Sequence, residues 1–327
     1  MQIGIVGAGY ISEEYIKIIK SFNHKVIKVV TKTKSKKNIA FCKKHRIKQH
    51  FLNFKEAIKA EPRVDGWIIC SSWDSLAKNF KIAIKEKVTF LIEKSILLTS
   101  KELIKINSSL SKKQKNNISI GYNRNYYDYV PILLKEMKKN KPKLIMANLP
   151  DNYSNIIKTK GSKIKKNLVK YITSHWISFI LKILKLNQIK IDLKKFKKYS
   201  ENNILKAKTY IFDLKIGNKN LPLIINIIPN NPSNTEIAFY CESKNFIMSP
   251  VEKLDIFDNI KIYKNKKKQN IYIPQKKTYL VKNNFKPGFK KQYYEFINHC
   301  VLGNKKNNLL TSVNDLIEVY QICELLD

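Results

Sequence analysis

A chain of 327 residues exceeds what one hydrophobic core ordinarily organises, and at 43% hydrophobic and 11% aromatic it has apolar surface enough for two globular domains, which excludes global disorder. The formal net charge of +38 suggests a nucleic-acid binder, yet Arg46, Arg63 and Arg124 are the only arginines and the lysines run from end to end, as codon bias produces. Surfaces selected for base and phosphate recognition favour arginine and gather it on one face, so a basic nucleic-acid-binding protein is the least favoured reading, while steering of anionic substrates such as nucleotide-linked sugars is expected.

The first third alternates short apolar runs with helical patterns, the signature of βαβ units around a buried parallel sheet. Strands are predicted at Gln2 to Val6, Lys25 to Val30, Gly66 to Cys70, Val88 to Ile92 and Ile118 to Tyr122. The first helix carries Ile11, Tyr15, Ile18, Ile19 and Phe22 on one face, and further helices fall near Lys36 to Lys44, Phe54 to Ala60, Leu76 to Lys85 and Lys101 to Leu110. Residues 1–121 therefore read as a doubly wound Rossmann domain of α/β class.

From residue 122 onward the pattern changes to longer strand-like runs at Lys143 to Asn148, Lys206 to Ile216, Leu221 to Pro229 and Thr235 to Ile247. A helix is expected from Asn167 to about Lys185, and two closing helices over 290–302 and 312–326. Residues 122–327 are thus an α+β substrate and oligomerisation domain with a large, mainly antiparallel open sheet. Lys158 to Lys166, Lys194 to Asn203 and Asn265 to Asn270 read as solvated loops. Leu223, Ile225 and Ile227 alternate with Ile224 and Ile228, leaving apolar residues on both sheet faces, so a homo-oligomer through that sheet is expected.

Chemistry begins at Gly7-Ala8-Gly9-Tyr10-Ile11-Ser12, between the first strand and an amphipathic helix. Gly7 permits the tight turn, Gly9 lets backbone approach a pyrophosphate, and the helix start offers free amides. Ser12 stands where a dinucleotide fingerprint has its third glycine and is small enough for close helix packing; the alternative is an ordinary strand-to-helix turn. No Asp or Glu occurs between Glu14 and Glu56, so the carboxylate that holds NAD ribose is missing, while Thr31, Lys32 and Thr33 sit at the end of the second strand. This favours NADP over NAD.

Cys42, Cys70, Cys241, Cys300 and Cys323 show no CxxC spacing, and an odd count in a large chain suits a reducing compartment. Met1-Gln2 leads straight into a strand, and no apolar stretch nears the roughly 20 residues of a membrane helix, so a cytoplasmic protein without membrane association is expected. His24, His45, His50 and His299 lack metal-ligand spacing, and no metal is expected.

Phe90-Leu91-Ile92-Glu93-Lys94-Ser95 resembles the Glu-Lys-Pro motif of the glucose-fructose oxidoreductase, inositol dehydrogenase and MocA-like (Gfo/Idh/MocA) family. Trp67 to Ser72 is similar to that family's fourth-strand segment, and Gly121-Tyr122-Asn123-Arg124 to its turn into the second domain. Ser174-His175-Trp176-Ile177-Ser178 resembles the Ser-His-x-x-Asp stretch, and Gly288 to Phe296 the closing helix. The resemblance implies hydride transfer between a nicotinamide and a hydroxyl-bearing carbon of a sugar or cyclitol.

Carried over by position, it makes Lys94 the residue that polarises the substrate oxygen, His175 the general acid/base, and Glu93 the support of Lys94; Ser71 and Ser72 join the cofactor site. Tyr171 replaces the aspartate four residues before His175, Ser178 the one three residues after, Ser95 the proline, and Leu76 a histidine. Spacing of four places Tyr171 beside His175 on a helix, where a phenol could orient the imidazole; loss of catalysis is the alternative. Arg124 either binds an acidic substrate group or pairs with a carboxylate. Tyr122, Tyr126, Tyr127 and Tyr129 either line a sugar pocket or pack in the core, and Trp176 is a further substrate-contact candidate.

Overall fold

The computed structural model describes residues 1–200, 205–282, 284–304 and 309–327. Contacts divide it into two compact units: 1–126 with 283–324, and 127–282 with 325–327.

In the first unit the elements run β1 (Gln2–Val6), α1 (Tyr10–Ser21), β2 (Lys25–Val30), α2 (Lys36–His45), β3 (Gln49–Phe51), α3 (Phe54–Lys59), β4 (Gly66–Ile69), α4 (Trp73–Lys85), β5 (Phe90–Glu93), α5 (Ser100–Ser109), α6 (Lys112–Asn116) and β6 (Ile118–Gly121). Every strand pairing is parallel and the order is β3-β2-β1-β4-β5-β6, the Rossmann arrangement that the alternating pattern implied. Tyr15, Ile18 and Ile19 of α1 are fully buried, and each such side chain stabilises the fold by about 1.5–3 kcal/mol. The strand β3 went unread because its three half-buried residues, Gln49, His50 and Phe51, carry no apolar run.

The second unit contains α7 (Val130–Lys139), β7 (Pro142–Leu149), α8 (Tyr153–Lys160), α9 (Ser174–Leu186), β8 (Lys190–Ser200), β9 (Lys208–Ile216), β10 (Lys219–Ile227), β11 (Glu236–Cys241), β12 (Asn245–Met248), β13 (Lys253–Lys264) and β14 (Asn270–Leu280). Its sheet has the order β14-β13-β12-β11-β7-β10-β9-β8 and is antiparallel except where β10 pairs β7 in parallel. The run expected as one strand from Thr235 to Ile247 is a hairpin, β11 and β12.

Two lysine-rich segments are corrected. Lys158 to Lys166 lies in α8 and a following 3-10 turn over Ser162–Asn167. Lys194 to Ser200 belongs to the edge strand β8, where lysines block pairing with another chain; residues 201–203 of that expected loop lie outside the described residues. Leu223, Ile225 and Ile227 are buried as one face of β10, but the opposite face also carries a polar ladder. Thr209 Oγ1 donates to Asn226 Oδ1 at 2.8 Å, Asn226 Nδ2 to Asn148 Oδ1 at 2.7 Å, and Asn148 Nδ2 to Glu236 Oε1 at 3.3 Å.

The closing helices α10 (Phe289–Phe296) and α11 (Val313–Leu326) were read into the second domain, but α10 and all of α11 up to Glu324 belong to the first unit. Phe289, Tyr293 and Phe296 share a core with Ile3, Tyr15 and Ile19, and the Tyr15 and Phe289 rings are 5.0 Å apart. Helical periodicity states that a face is apolar but not which unit receives it.

The base of the β13 and β14 hairpin is held by Asp255, 5% exposed, which accepts from Thr278 Oγ1 at 2.6 Å and pairs with Lys253 at 3.0 Å and Lys276 at 3.3 Å. Burial pushes the Asp255 carboxyl upward, but Thr278 and the two lysines prevail and hold it below the ordinary value. A depressed folded pKa means stability present above the unfolded value of about 3.9 and lost as pH falls through the folded one. Asp255→Asn is therefore expected to cost about 1–3 kcal/mol in urea unfolding at pH 7, with the gap from wild type narrowing below about pH 4.

Candidate functional site

At the end of β1 the chain turns at Gly7, whose φ is +116°, and a Cβ there would lie 2.6 Å from the Cys70 carbonyl oxygen. Gly9 differs, because its φ of −99° and ψ of −174° suit any residue and a Cβ on it would meet nothing within 4 Å. The open space adjoins the start of α1, where Tyr10 and Ile11 present amides and the helix dipole favours an anion. Ser12 is fully buried; its Oγ accepts from the Gly9 N–H at 3.2 Å and lies 3.2 Å from Cys70 Sγ. Serine thus achieves the tight packing of α1 against the end of β4 that the third glycine would serve. Burial pushes the Cys70 thiol up to about 12, which makes it a neutral packing partner.

Beside this turn is a cavity of about 550 Å³ that reaches from Gly7 and Ala8 past Thr31 and Lys32 to Ser71 and Ser72. Lys32, Lys55 and Lys78 line it, and among the described residues no carboxylate does. Lys32 Nζ donates to Asp74 Oδ2 at 2.6 Å, and both side chains are more than half exposed, so the pair is weak and exchangeable. Thr31 Oγ1 donates to the Thr33 carbonyl at 2.8 Å and meets His50 Nε2 at 2.6 Å, which commits its hydroxyl to shaping the loop. Thr33 is exposed, and Asn79 Nδ2 holds Ser71 Oγ at 2.9 Å. Lys55, Lys78 and Asn79 escaped sequence reading because they come from α4 and the start of α3, away from the fingerprint.

Glu93 ends β5 and Lys94 follows it in a bend, both half-buried. Tyr15 Oη donates to Glu93 Oε1 at 2.7 Å, and Gln292 Nε2 donates to Tyr15 Oη at 3.3 Å. Burial raises the Glu93 carboxyl, against the pull of Tyr15, Lys94 and Lys286. Ser95 has φ +73°, a value that the pyrrolidine ring of proline forbids, so the turn after Lys94 takes a path closed to a Glu-Lys-Pro sequence. Arg124 is half-buried in a 3-10 turn over Asn123–Tyr126.

In the second unit a π-helical turn, Val169–Thr173, precedes α9 and holds Tyr171, while His175 is the second residue of α9; both are half-buried. Such turns occur often at functional sites. The α-helical register assumed for Tyr171 and His175 is thereby widened, and burial raises the Tyr171 hydroxyl. Ser178, like Leu76 in the first unit, is buried.

Two substrate-contact candidates are corrected. Tyr122 is fully buried, as Tyr126, Tyr127 and Tyr129 nearly are, so the packing alternative holds for these rings. Trp176 is 7% exposed, and its indole N–H donates to Asp151 Oδ1 at 3.0 Å. Asp151 also accepts from Thr173 Oγ1 at 2.6 Å, so the indole supports the helix start and has no free polar edge for a substrate.

Among the described residues no three His, Cys, Asp or Glu side chains converge as a metal site requires, and no helix is long and apolar enough to cross a membrane.

Residues 1–122 match the model of the GFO_IDH_MocA oxidoreductase family, described as an NAD-binding Rossmann fold. No curated protein matches the chain. Solved structures share its fold over nearly the full length. UDP-N-acetylglucosamine 3-dehydrogenase GnnA from Acidithiobacillus ferrooxidans is 12% identical with a TM-score of 0.72, covering 99% of this chain and 96% of that one. For apo scyllo-inositol dehydrogenase from Lactobacillus casei the identity is 14% and the TM-score 0.73, with 99% and 94% covered. The dehydrogenase MviM from Clostridium difficile is 18% identical, TM-score 0.71, with 100% and 98% covered. With its fingerprint turn and Rossmann strand order, the segment 1–122 matches the NAD-binding Rossmann domain of the Gfo/Idh/MocA oxidoreductase family, and the chain as a whole shares the fold of these solved dehydrogenases.

Proposed function

We propose that the chain is an NADP-dependent oxidoreductase acting on a hydroxyl-bearing carbon of a sugar, nucleotide-linked or free, or of a cyclitol. The observation that carries the coenzyme reading is the cavity beside the Gly7 turn, with Lys32, Lys55 and Lys78 on its wall and no carboxylate among its described lining. The residues fit a dinucleotide: Gly9 leaves room at the α1 amides, and about 550 Å³ suits an adenosine end. When bound, the nicotinamide supplies the hydride chemistry. In this reading Lys94 polarises the substrate oxygen, Glu93 holds Lys94, and His175 takes the hydroxyl proton with Tyr171 orienting its ring. Arg124 takes an acidic substrate group. The structural neighbours named for a nucleotide-linked sugar and for an inositol support this substrate class.

The protein is further proposed to be cytoplasmic, and a homo-oligomer through the sheet of the second unit. A carboxylate at the cavity would repel the NADP 2′-phosphate, whereas lysines attract it. Fluorescence titration should therefore show NADPH binding about tenfold or more tighter than NADH, and Lys32→Ala with Lys78→Ala should erase most of the difference. Equal affinities for the two coenzymes would remove the NADP preference. Sedimentation of the same preparation as a species above 38.3 kDa checks the oligomer.

A second reading is favoured by Ser95, whose left-handed backbone re-routes the turn after Lys94. In it the chain is a dinucleotide-binding homologue with impaired catalysis that serves as a sensor or partner subunit. Tight NADPH binding without turnover of any sugar or cyclitol would select it.

A further inference from the structure

Lys286 lies far along the chain from the fingerprint, yet it belongs to the first unit and reaches the opening turn of α1. Its Nζ stands 5.2 Å from the centroid of the Tyr10 ring and 5.1 Å from that of Phe289. Tyr10 is the first residue of α1, and its ring is 69% exposed. The cation is therefore placed by two aromatic faces, one of which belongs to the fingerprint itself.

Lys286 is half-buried, and among the described residues no carboxylate comes within ion-pair distance of its Nζ. Glu14, on α1, is already paired with Lys17 at 2.7 Å. Glu93 accepts from Tyr15 at 2.7 Å, and it attracts Lys286 only through space. Burial draws the Lys286 ammonium toward its neutral form, with Arg124 adding to this and Glu93 opposing it. A half-buried ammonium with no anion in contact is costly unless a ligand supplies one.

The neighbouring backbone calls for the same ligand. The Gly9 amide is spent on Ser12 Oγ, which leaves the later amides of the α1 start and the helix dipole to face an anion. A diphosphate bears two negative charges, more than the partial charge of one helix end neutralises. We infer that Lys286 is a cofactor-binding residue that contacts the diphosphate of the dinucleotide, supplied by the segment before α10 and held in place by Tyr10 and Phe289. This rests on the dinucleotide reading above. It adds a determinant of affinity common to NADP and NAD, where Lys32 and Lys78 discriminate between them.

The test compares wild type, Lys286→Gln and Lys286→Arg by NADPH and NADH fluorescence titration, with 2′-AMP as competitor. Lys286→Gln should weaken both reduced coenzymes by a shared factor of about tenfold and leave their ratio unchanged. Lys286→Arg should restore affinity to within about threefold, because the charge is kept. Competition by 2′-AMP, which has neither phosphate of the diphosphate bridge, should change less than about twofold. Lys286→Gln protein that melts like wild type and binds NADPH within twofold of it overturns the inference while the dinucleotide reading stands. Wild-type protein that binds neither coenzyme overturns both, which separates the two failures.

Discussion

Gly9→Ala is expected to leave the protein folded and to weaken NADPH binding by about a hundredfold, about 2.7 kcal/mol. The separation follows from the two glycines of the turn. At Gly9 the backbone is in an ordinary extended conformation and an added Cβ touches no protein atom within 4 Å. Alanine is a poorer N-cap than glycine, but it also lowers the entropy of the unfolded chain, and these opposed effects leave stability within about 0.5 kcal/mol. The added methyl instead fills the space through which a diphosphate would approach the α1 amides. Gly7→Ala should show the reverse pattern, losing about 1–3 kcal/mol of stability, because its φ is +116° and its Cβ would press on the Cys70 carbonyl. Thermal melts and NADPH titrations on both variants check this; unchanged NADPH affinity in Gly9→Ala would remove the dinucleotide from this turn.

The second large effect concerns turnover. Once a sugar or cyclitol that reduces NADP is found, Lys94→Met and His175→Asn are each expected to lower kcat by about 10² to 10⁴ while NADPH affinity changes by no more than a few-fold. In the proposed reading Lys94 has this effect because a half-buried ammonium beside Glu93 would stabilise an oxyanion as it develops. In the same reading His175 has it because an alcohol cannot release hydride without giving up its proton to a base. Stopped-flow measurement of the hydride step separates these roles from product release. Turnover within threefold of wild type in both variants would remove Lys94 and His175 from the chemistry.

What could be read in the linear chain was set by local rules. Apart from β3, the strands of the first unit were legible because a sheet buried on both faces demands continuous apolar runs, as at Trp67 to Ile69 and Phe90 to Ile92. The fingerprint was legible because turn geometry constrains residue type within a few positions. Strands that relied on partners for burial were not. In β13 the residues after Phe257 are mostly exposed, and lysine-rich β8 reads as a solvated loop until β9 is placed beside it.

The candidate site divides along the same line. Gly7, Gly9 and Ser12 could be picked out as candidates from the turn pattern, and Glu93 and Lys94 from their motif. Lys55, Lys78, Gln292 and Lys286 carry no local signal and gain meaning only from what folding sets next to them. Tyr122 and Trp176 show the converse: their chemistry suited a pocket, and burial decided otherwise. Sequence by itself determined the Rossmann domain, the glycine turn after β1 and the absence of a carboxylate between Glu14 and Glu56, since these depend on periodicity, on conformations that particular residues permit and on residue identity. Tertiary structure alone decided which unit the closing helix α10 joins, which lysines line the cavity and which aromatics are out of reach. Those outcomes depend on contacts between distant segments, and an apolar face or a flexible cation carries no address for its partner.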